Sequence, residues 1–440
     1  MIRKFISFSL SFILCFLLCG CDLLTSDTAE LLSPPSLSGD LKPIAKAIDD
    51  SVQTPYVFKY PSRGDYRSAV VRKDLNRDGL LEAFAFYSTT DGETVTMNLN
   101  FICLINDKWK SVSTQQLVAG GVDKIDFCDL DNDGTLELLV GWEIYGVSEM
   151  QLAIYSFAEN TLSQRMLKQY THFTTCDLNE DSEREVLLIY ANTAESINTA
   201  ALYTLTEEGV TELSSCELDS AAKTINPPVI STLSSGKPAV YLDEIKGVGA
   251  ITEVLFMEKG NLVNPFFQAE SRETVATLRS ANFAITDMNS DGIYEIPVQR
   301  DVPSVTLSQL NEKLYLTEWC TFNGRKLIPQ TTTMINVNDG FIFTIPPKWI
   351  NNIAIFKDTD KRIREIYRYN PKETVVSDSL VYFEAVDKSD WKARKFESKN
   401  MYKITSTDNT VFVCKVSDAA KKDGITLEWV KNNFKIYEQE

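Results

Sequence analysis

The chain has 440 residues, with 61 acidic against 44 basic side chains, a single histidine and a formal net charge of −17. A surface this acidic repels nucleic acid and anionic lipid and favours cations, and one histidine excludes a multi-histidine zinc centre. The length leaves room for two domains with sizeable cores.

At the N-terminus, Arg3 and Lys4 precede an apolar stretch over residues 5–18 and then Leu18-Cys19-Gly20-Cys21. A charged start, a short apolar run and small residues at a cut site are signal-peptide features, and the run is too short for a comfortable membrane span. The final four residues look like a lipobox. Residues 1–20 therefore read as a lipoprotein signal peptide, with Cys21 as the acylated first residue of a mature, extracytoplasmic protein. Residues 21–43, rich in Ser, Thr, Leu and Pro, read as a flexible tether. A short amphipathic helix is expected over residues 42–52, packed against the folded body.

A nine-residue pattern then occurs four times: DLNRDGLLE at residues 74–82, DLDNDGTLE at 129–137, DLNEDSERE at 177–185 and DMNSDGIYE at 287–295. Each copy has an acid or amide oxygen at positions one, three and five, a turn residue at six and a glutamate at nine. Hard cations such as calcium take six to eight oxygen ligands, which closely spaced side chains on a tight loop can supply. The first two intervals are about 50 residues and the third is about twice as long, so a degenerate copy is expected near residue 232. Thr232-Leu233-Ser234-Ser235-Gly236-Lys237 sits there without a carboxylate; it should keep the fold and bind no metal.

Short apolar, β-branched runs flank the loops, as at residues 68–71, 125–128, 173–176 and 283–286 before them and 83–87, 138–142 and 186–190 after them. Such runs read as strands buried on both faces. Further runs follow, as at 95–105 and 108–113, or 151–157 and 161–166. Four strands per repeat, about five times over, predict a mainly β, propeller-like array across residues 44–336.

The D-x-[DN]-x-D-G-x-x-[DE] loop between two apolar strands resembles the FG-GAP or VCBS repeat, the calcium-bearing hairpin of integrin alpha-subunit propellers. The likeness covers residues 67–336. The wider layout, a lipoprotein leader, then YPSRGDYRSA at residues 60–69, then the loops, is similar to surface lipoproteins of Gram-positive anaerobic bacteria. The resemblance implies binding and scaffolding outside the cell, with up to four structural calcium ions. Three departures stand out: glutamate rather than the commoner aspartate closes each loop, Ser182 replaces glycine, and five repeats are fewer than the usual seven.

Carried over residue by residue, Asp74, Asn76, Asp78 and Glu82 would ligate in the first loop, and Asp129, Asp131, Asp133 and Glu137 in the second. Asp177, Asn179, Asp181 and Glu185 match in the third, and Asp287, Asn289, Asp291 and Glu295 in the last. The second loop, with four carboxylates, should bind most tightly. Gly79, Gly134 and Gly292 suit a left-handed turn, which Ser182 would adopt at some cost. Asp-Asn-Gly clusters also make good turns without any ion; four copies in register, each with an acid three residues past the turn, favour metal. An EF-hand is excluded because the glutamate falls at position nine rather than twelve.

Residues 337–440 lack the loops and read as a small α+β domain, with strands at 379–385 and 410–416 and a helix at 425–434. Cys128 and Cys176 precede loop ligands on apolar strands and read as small core residues. His172 lies in a predicted strand, where a structural role outweighs a catalytic one. Asp123, Asp126, Glu143, Glu149, Asp243 and Glu244 are acids outside the loops that no motif pairs, and Trp109, Trp142 and Tyr145 are aromatics able to stack on sugar. The favoured reading is a non-catalytic, calcium-stabilised ligand-binding or adhesion module of a membrane-anchored lipoprotein, with a protein or glycan ligand and no nucleic acid. The alternatives are a carbohydrate-active glycosidase or lyase on a propeller, and an accessory subunit of an envelope complex.

Overall fold

The computed structural model describes residues 39–92, 94–144, 150–158, 161–192, 197–280, 283–305, 314–391, 393 and 400–437. The predicted leader, Cys21 and the tether as far as residue 38 lie outside the described residues, as do Tyr145 and Glu149. The chain divides into two compact units, Met1–Gln169 and Tyr170–Glu440. It is mainly β, an array of antiparallel meander sheets of the kind the repeats predict.

The first unit opens with helix α1 (Lys42–Ser51), which carries a proline in its first turn, where a missing N–H costs nothing. Ile44, Ala47 and Ile48 recur at helical spacing and bury against Val70, Ala83, Ala85, Tyr87 and Ile102. The helix thus packs on the sheet, as expected. That sheet comprises β1 (Tyr56–Phe58), β2 (Val70–Lys73), β3 (Glu82–Asp91), β4 (Thr94–Ile105) and β5 (Lys108–Leu117). β1 and β2 pair with successive stretches of β3, so one strand position is filled by two short pieces. The second sheet runs β6 (Gly121–Cys128), β7 (Glu137–Glu143), β8 (Met150–Ala158) and β9 (Thr161–Tyr170). Phe84, Phe86, Leu99 and Phe101 of the first sheet share a core with Val122, Leu138, Val140 and Trp142 of the second. The inner strands β3 and β7 are therefore buried on both faces, which is why their sequences are almost continuously apolar.

In the second unit, β10 (His172–Cys176), β11 (Glu185–Asn192), β12 (Ile197–Thr206) and β13 (Gly209–Leu218) form a four-stranded meander. The next sheet holds β14 (Thr224–Ile225), β15 (Val229–Thr232), β16 (Pro238–Lys246), β17 (Gly249–Glu258) and β18 (Asn261–Val263), again with its first strand position split in two. Here the degenerate loop is a short hairpin in which Leu233 N donates to Lys237 O at 2.8 Å and Gly236 takes a φ of +87°. It offers no carboxylate, as the sequence predicts.

A small hairpin, β19 (Phe267–Gln268) and β20 (Glu273–Thr274), leads to the last loop-bearing repeat. The strand expected over residues 283–286 is reduced to a single bridge between Thr286 and Glu295. The cause is local. Phe283 O accepts from Arg279 Nε at 2.8 Å and Ile285 N donates to Asp243 Oδ2 at 2.7 Å, so this backbone is committed to side chains.

The fifth sheet contains β21 (Ile296–Val302), while β22 (Ser304–Val305) leaves it to pair in parallel with the sixth. β23 (Leu314–Phe322), β24 (Leu327–Asn336) and β25 (Phe341–Thr344) continue the fifth sheet, and residue 337 lies in the turn between the paired β24 and β25. The sixth sheet adds β26 (Ile353–Asp358), β27 (Ile363–Asn370), β28 (Val375–Asp387), β29 (Tyr402–Ser406) and β30 (Thr410–Val416). Helix α2 (Lys388–Trp391) follows β28, and α3 (Asp418–Lys422) and α4 (Leu427–Asn432) lead to β31 (Phe434–Ile436), which pairs with β25. Phe341, Phe343, Trp349, Phe383 and Phe412 pack in one core under these elements. Asp423 pins the segment by accepting from Trp349 Nε1 and from Arg368 Nη2, each at 2.7 Å.

Candidate metal centres

Each acidic loop joins two neighbouring strands or, in the last copy, the two halves of a bridge. Its closing glutamate is the first residue after the turn: Glu82 pairs with Lys73, Glu137 with Cys128, Glu185 with Cys176 and Glu295 with Thr286. The same four hydrogen bonds then recur. The closing glutamate's Oε2 accepts from the second residue's amide: Leu75 at 2.9 Å, Leu130 at 2.9 Å, Leu178 at 3.0 Å and Met288 at 2.8 Å. Oδ2 of the first aspartate accepts from the sixth residue, Gly79, Gly134, Ser182 or Gly292, at 2.9–3.2 Å. The third residue accepts from the amide of the fifth. The fifth, in turn, accepts from that of the seventh. One recurring sequence therefore produces one recurring cage of inward-facing oxygens.

Two backbone features hold that cage. Position six is left-handed in every copy, with φ from +75° at Ser182 to +91° at Gly134. Position four is left-handed as well, at Arg77, Asn132, Glu180 and Ser290, with φ between +57° and +64°. Non-glycine residues adopt that conformation only where surrounding structure imposes it. The sequence reading marked position six and missed position four, where Arg, Asn, Glu and Ser share no common signal. It also passed over position two, although Leu75, Leu130 and Leu178 are fully buried plugs under their loops and the repeated Asp-Leu pair was there to be seen.

The cages contain more oxygen than the protein's own donors satisfy. Asp74 Oδ1, Asp129 Oδ1 and Glu295 Oε1 are buried and receive no hydrogen bond, an arrangement that costs free energy unless a cation or proton compensates. Ligand atoms of Asp129, Asp131 and Glu137 lie within 4.8 Å of one another, as do those of Asp177, Asp181 and Glu185, so these two clusters can hold a metal ion. Burial pushes the Glu137 carboxyl up to about 7, with Asp131 and Asp133 adding to the rise. Burial likewise pushes Glu185 up to about 7, with Asp181 and Asp177 adding. Glu82 and Glu295 shift upward for the same reasons. The donor set, carboxylate and amide oxygens without nitrogen or sulfur, suits a hard cation.

Several of the other singled-out residues have structural partners. His172 Nε2 lies 2.7 Å from Ile225 O. Asp123 is fully buried and accepts from Arg63 Nε and Nη2 at 2.5 and 2.8 Å. Trp142 is part of the first unit's core, and Trp109 packs beneath α1. Cys128 and Cys176 are buried, as small core residues should be.

No family model matches the chain, and no curated protein matches it. Among solved structures it is similar to a rhamnogalacturonan lyase of Bacillus licheniformis at 10% identity and a TM-score of 0.31, covering 52% of this chain and 57% of that enzyme. An exotype rhamnogalacturonan lyase, YesX, matches at 8% identity and 0.31, covering 82% and 90% of the two chains. The Dos1 propeller matches at 10% and 0.26, covering 72% and 79%. Superpositions at these TM-scores carry no conclusion about what this chain does.

Proposed function

We propose that the four acidic loops bind calcium and that the protein is a non-catalytic, calcium-stabilised module for ligand binding or adhesion. The second loop would hold its ion through Asp129, Asp131, Asp133 and Glu137, and the third through Asp177, Asn179, Asp181 and Glu185. Asp74, Asn76, Asp78 and Glu82 would serve the first loop, and Asp287, Asn289, Asp291 and Glu295 the last. Bound calcium would neutralise the converging carboxylates and brace the hairpins that carry the inner strands. Its role is structural: the loops are spread along the array, one to a repeat.

The observation that carries this reading is the repeated cage with its orphaned buried oxygens at Asp74, Asp129 and Glu295. Two of the acids outside the loops are committed to ion pairs, Asp123 to Arg63 and Asp243 to Arg279, and so are not free for carbohydrate chemistry. The leader motif supports display outside the cell, anchored to the membrane through acylated Cys21, with a protein or a glycan as the ligand.

Thermal unfolding tests the calcium reading. Calcium at about 100 times its dissociation constant adds roughly 2.7 kcal/mol per independent site to the folded state. The expected result is a clear rise in Tm with calcium that chelator reverses and that magnesium, which demands a tighter octahedral shell, does not reproduce. Identical Tm values in calcium and chelator would reduce the loops to polar turns.

A further inference from the structure

The repeat that lacks an acidic loop contains a different carboxylate cluster. Glu244 on β16 and Glu253 on β17 are both fully buried. Glu244 lies opposite Ile251, and Glu253 opposite Leu242, so the two are diagonal neighbours on one face of the sheet. Glu253 is well supplied with donors: Asn264 Nδ2 at 2.7 Å and Thr274 Oγ1 at 2.6 Å on Oε1, and the Asp219 amide at 3.1 Å on Oε2. Glu244 receives none on either oxygen. The register sets its carboxyl diagonally beside that of Glu253.

The surrounding charges do not neutralise Glu244. Asp219, also fully buried, accepts from Lys246 Nζ at 2.8 Å and from Thr274 N at 2.6 Å. Lys246 also donates to Glu273 at 2.7 Å. On the opposite face, Asp243 and Arg279 pair with each other. Cys216, from the neighbouring sheet, faces Glu253, and its thiol is pushed up to about 12 by burial. With Lys246 taken by Asp219 and Glu273, two buried carboxyls side by side on one sheet face cannot both ionise without a large penalty.

We propose that Glu244 holds its proton at neutral pH and donates it to the Glu253 carboxylate, so that this repeat is locked by a shared proton and loosens when alkali removes it. The inference is independent of the calcium reading. Burial, and the negative charge of Glu253, Asp219 and Asp243, raise the Glu244 carboxyl well above its ordinary value. Below the unfolded-state value both folded and unfolded chains carry the proton, and pH has no effect through this group. Above it the unfolded chain has lost the proton while the folded chain keeps it, so folding takes up one proton and stability falls as pH rises. That decline continues until the folded protein also ionises, at about tenfold in the folding equilibrium constant per pH unit.

The test compares the full wild-type chain with Glu244→Gln, a neutral near-isostere, by denaturant unfolding from about pH 5 to about pH 9. The loop glutamates contribute equally to both proteins, so the ratio reports on the Glu244–Glu253 pair. The folding constant of the variant relative to wild type should rise about tenfold per pH unit through the window; a ratio that does not change with pH overturns the proposal. If the variant fails to fold, infrared spectroscopy of the wild type decides. A protonated carboxyl carbonyl band should be retained by the wild type above neutral pH and vanish in alkali. Its absence would overturn the proposal as surely.

Discussion

Replacing Arg279 by alanine should cost the folded protein about 3–5 kcal/mol, the loss typical of breaking a buried ion pair by removing one partner. The guanidinium is only 1% exposed, so no water replaces it. Its Nη2 donates to Asp243 Oδ1 at 3.0 Å, its Nη1 to Thr252 Oγ1 at 3.0 Å and its Nε to Phe283 O at 2.8 Å. One side chain therefore joins β16, β17 and the approach to the last acidic loop. Lysine should not rescue the site, because a single ammonium cannot reproduce a planar fork reaching three acceptors. Removing Asp243 in the same chain should restore part of the loss, since the residual penalty is a buried, unpaired carboxylate. Denaturant midpoints for the two single variants and the double variant measure this coupling. A loss below about 1 kcal/mol for Arg279→Ala would mean that solvent reaches the pair.

The second large effect belongs to the loop with four carboxylates. Asp129→Ala with Asp133→Ala should abolish one site's share of calcium stabilisation, roughly 2.7 kcal/mol at about 100 times the dissociation constant. In chelator the same variant should lose less. It forfeits the turn hydrogen bonds to Gly134 and Thr135, worth about 1 kcal/mol each, and sheds the repulsion among Asp129, Asp131 and Asp133. The prediction concerns the difference between the two conditions. Equal losses in calcium and in chelator would assign these aspartates to turn formation alone.

Much of this structure was legible because it repeats. The acidic loops, the apolar strands beside them, the degenerate hairpin at residues 232–237 and the helix at residues 42–51 each carry a local pattern, and local patterns are what a sequence displays. The fourth sheet's polar interior was not legible. Asp243 and Glu244 are neighbours on β16 and Glu253 sits on β17, where only the register of the two strands brings the glutamates to one face, while Asp219 and Arg279 reach the cluster from outside the strands. The strand expected over residues 283–286 failed for the same reason, because its backbone is taken by Arg279 and Asp243 from distant positions. In the acidic loops the ligand side chains were readable from their spacing, whereas the left-handed turn at Arg77, Asn132, Glu180 and Ser290 was hidden behind unrelated residue types.

The most direct test of the central claim is a count of calcium ions bound per chain, by equilibrium dialysis of the wild-type protein against calcium with magnesium present. The account predicts at least two ions and as many as four, with one lost in the Asp129→Ala, Asp133→Ala variant. No bound calcium at millimolar concentration, the weak end of extracellular calcium sites, would contradict it.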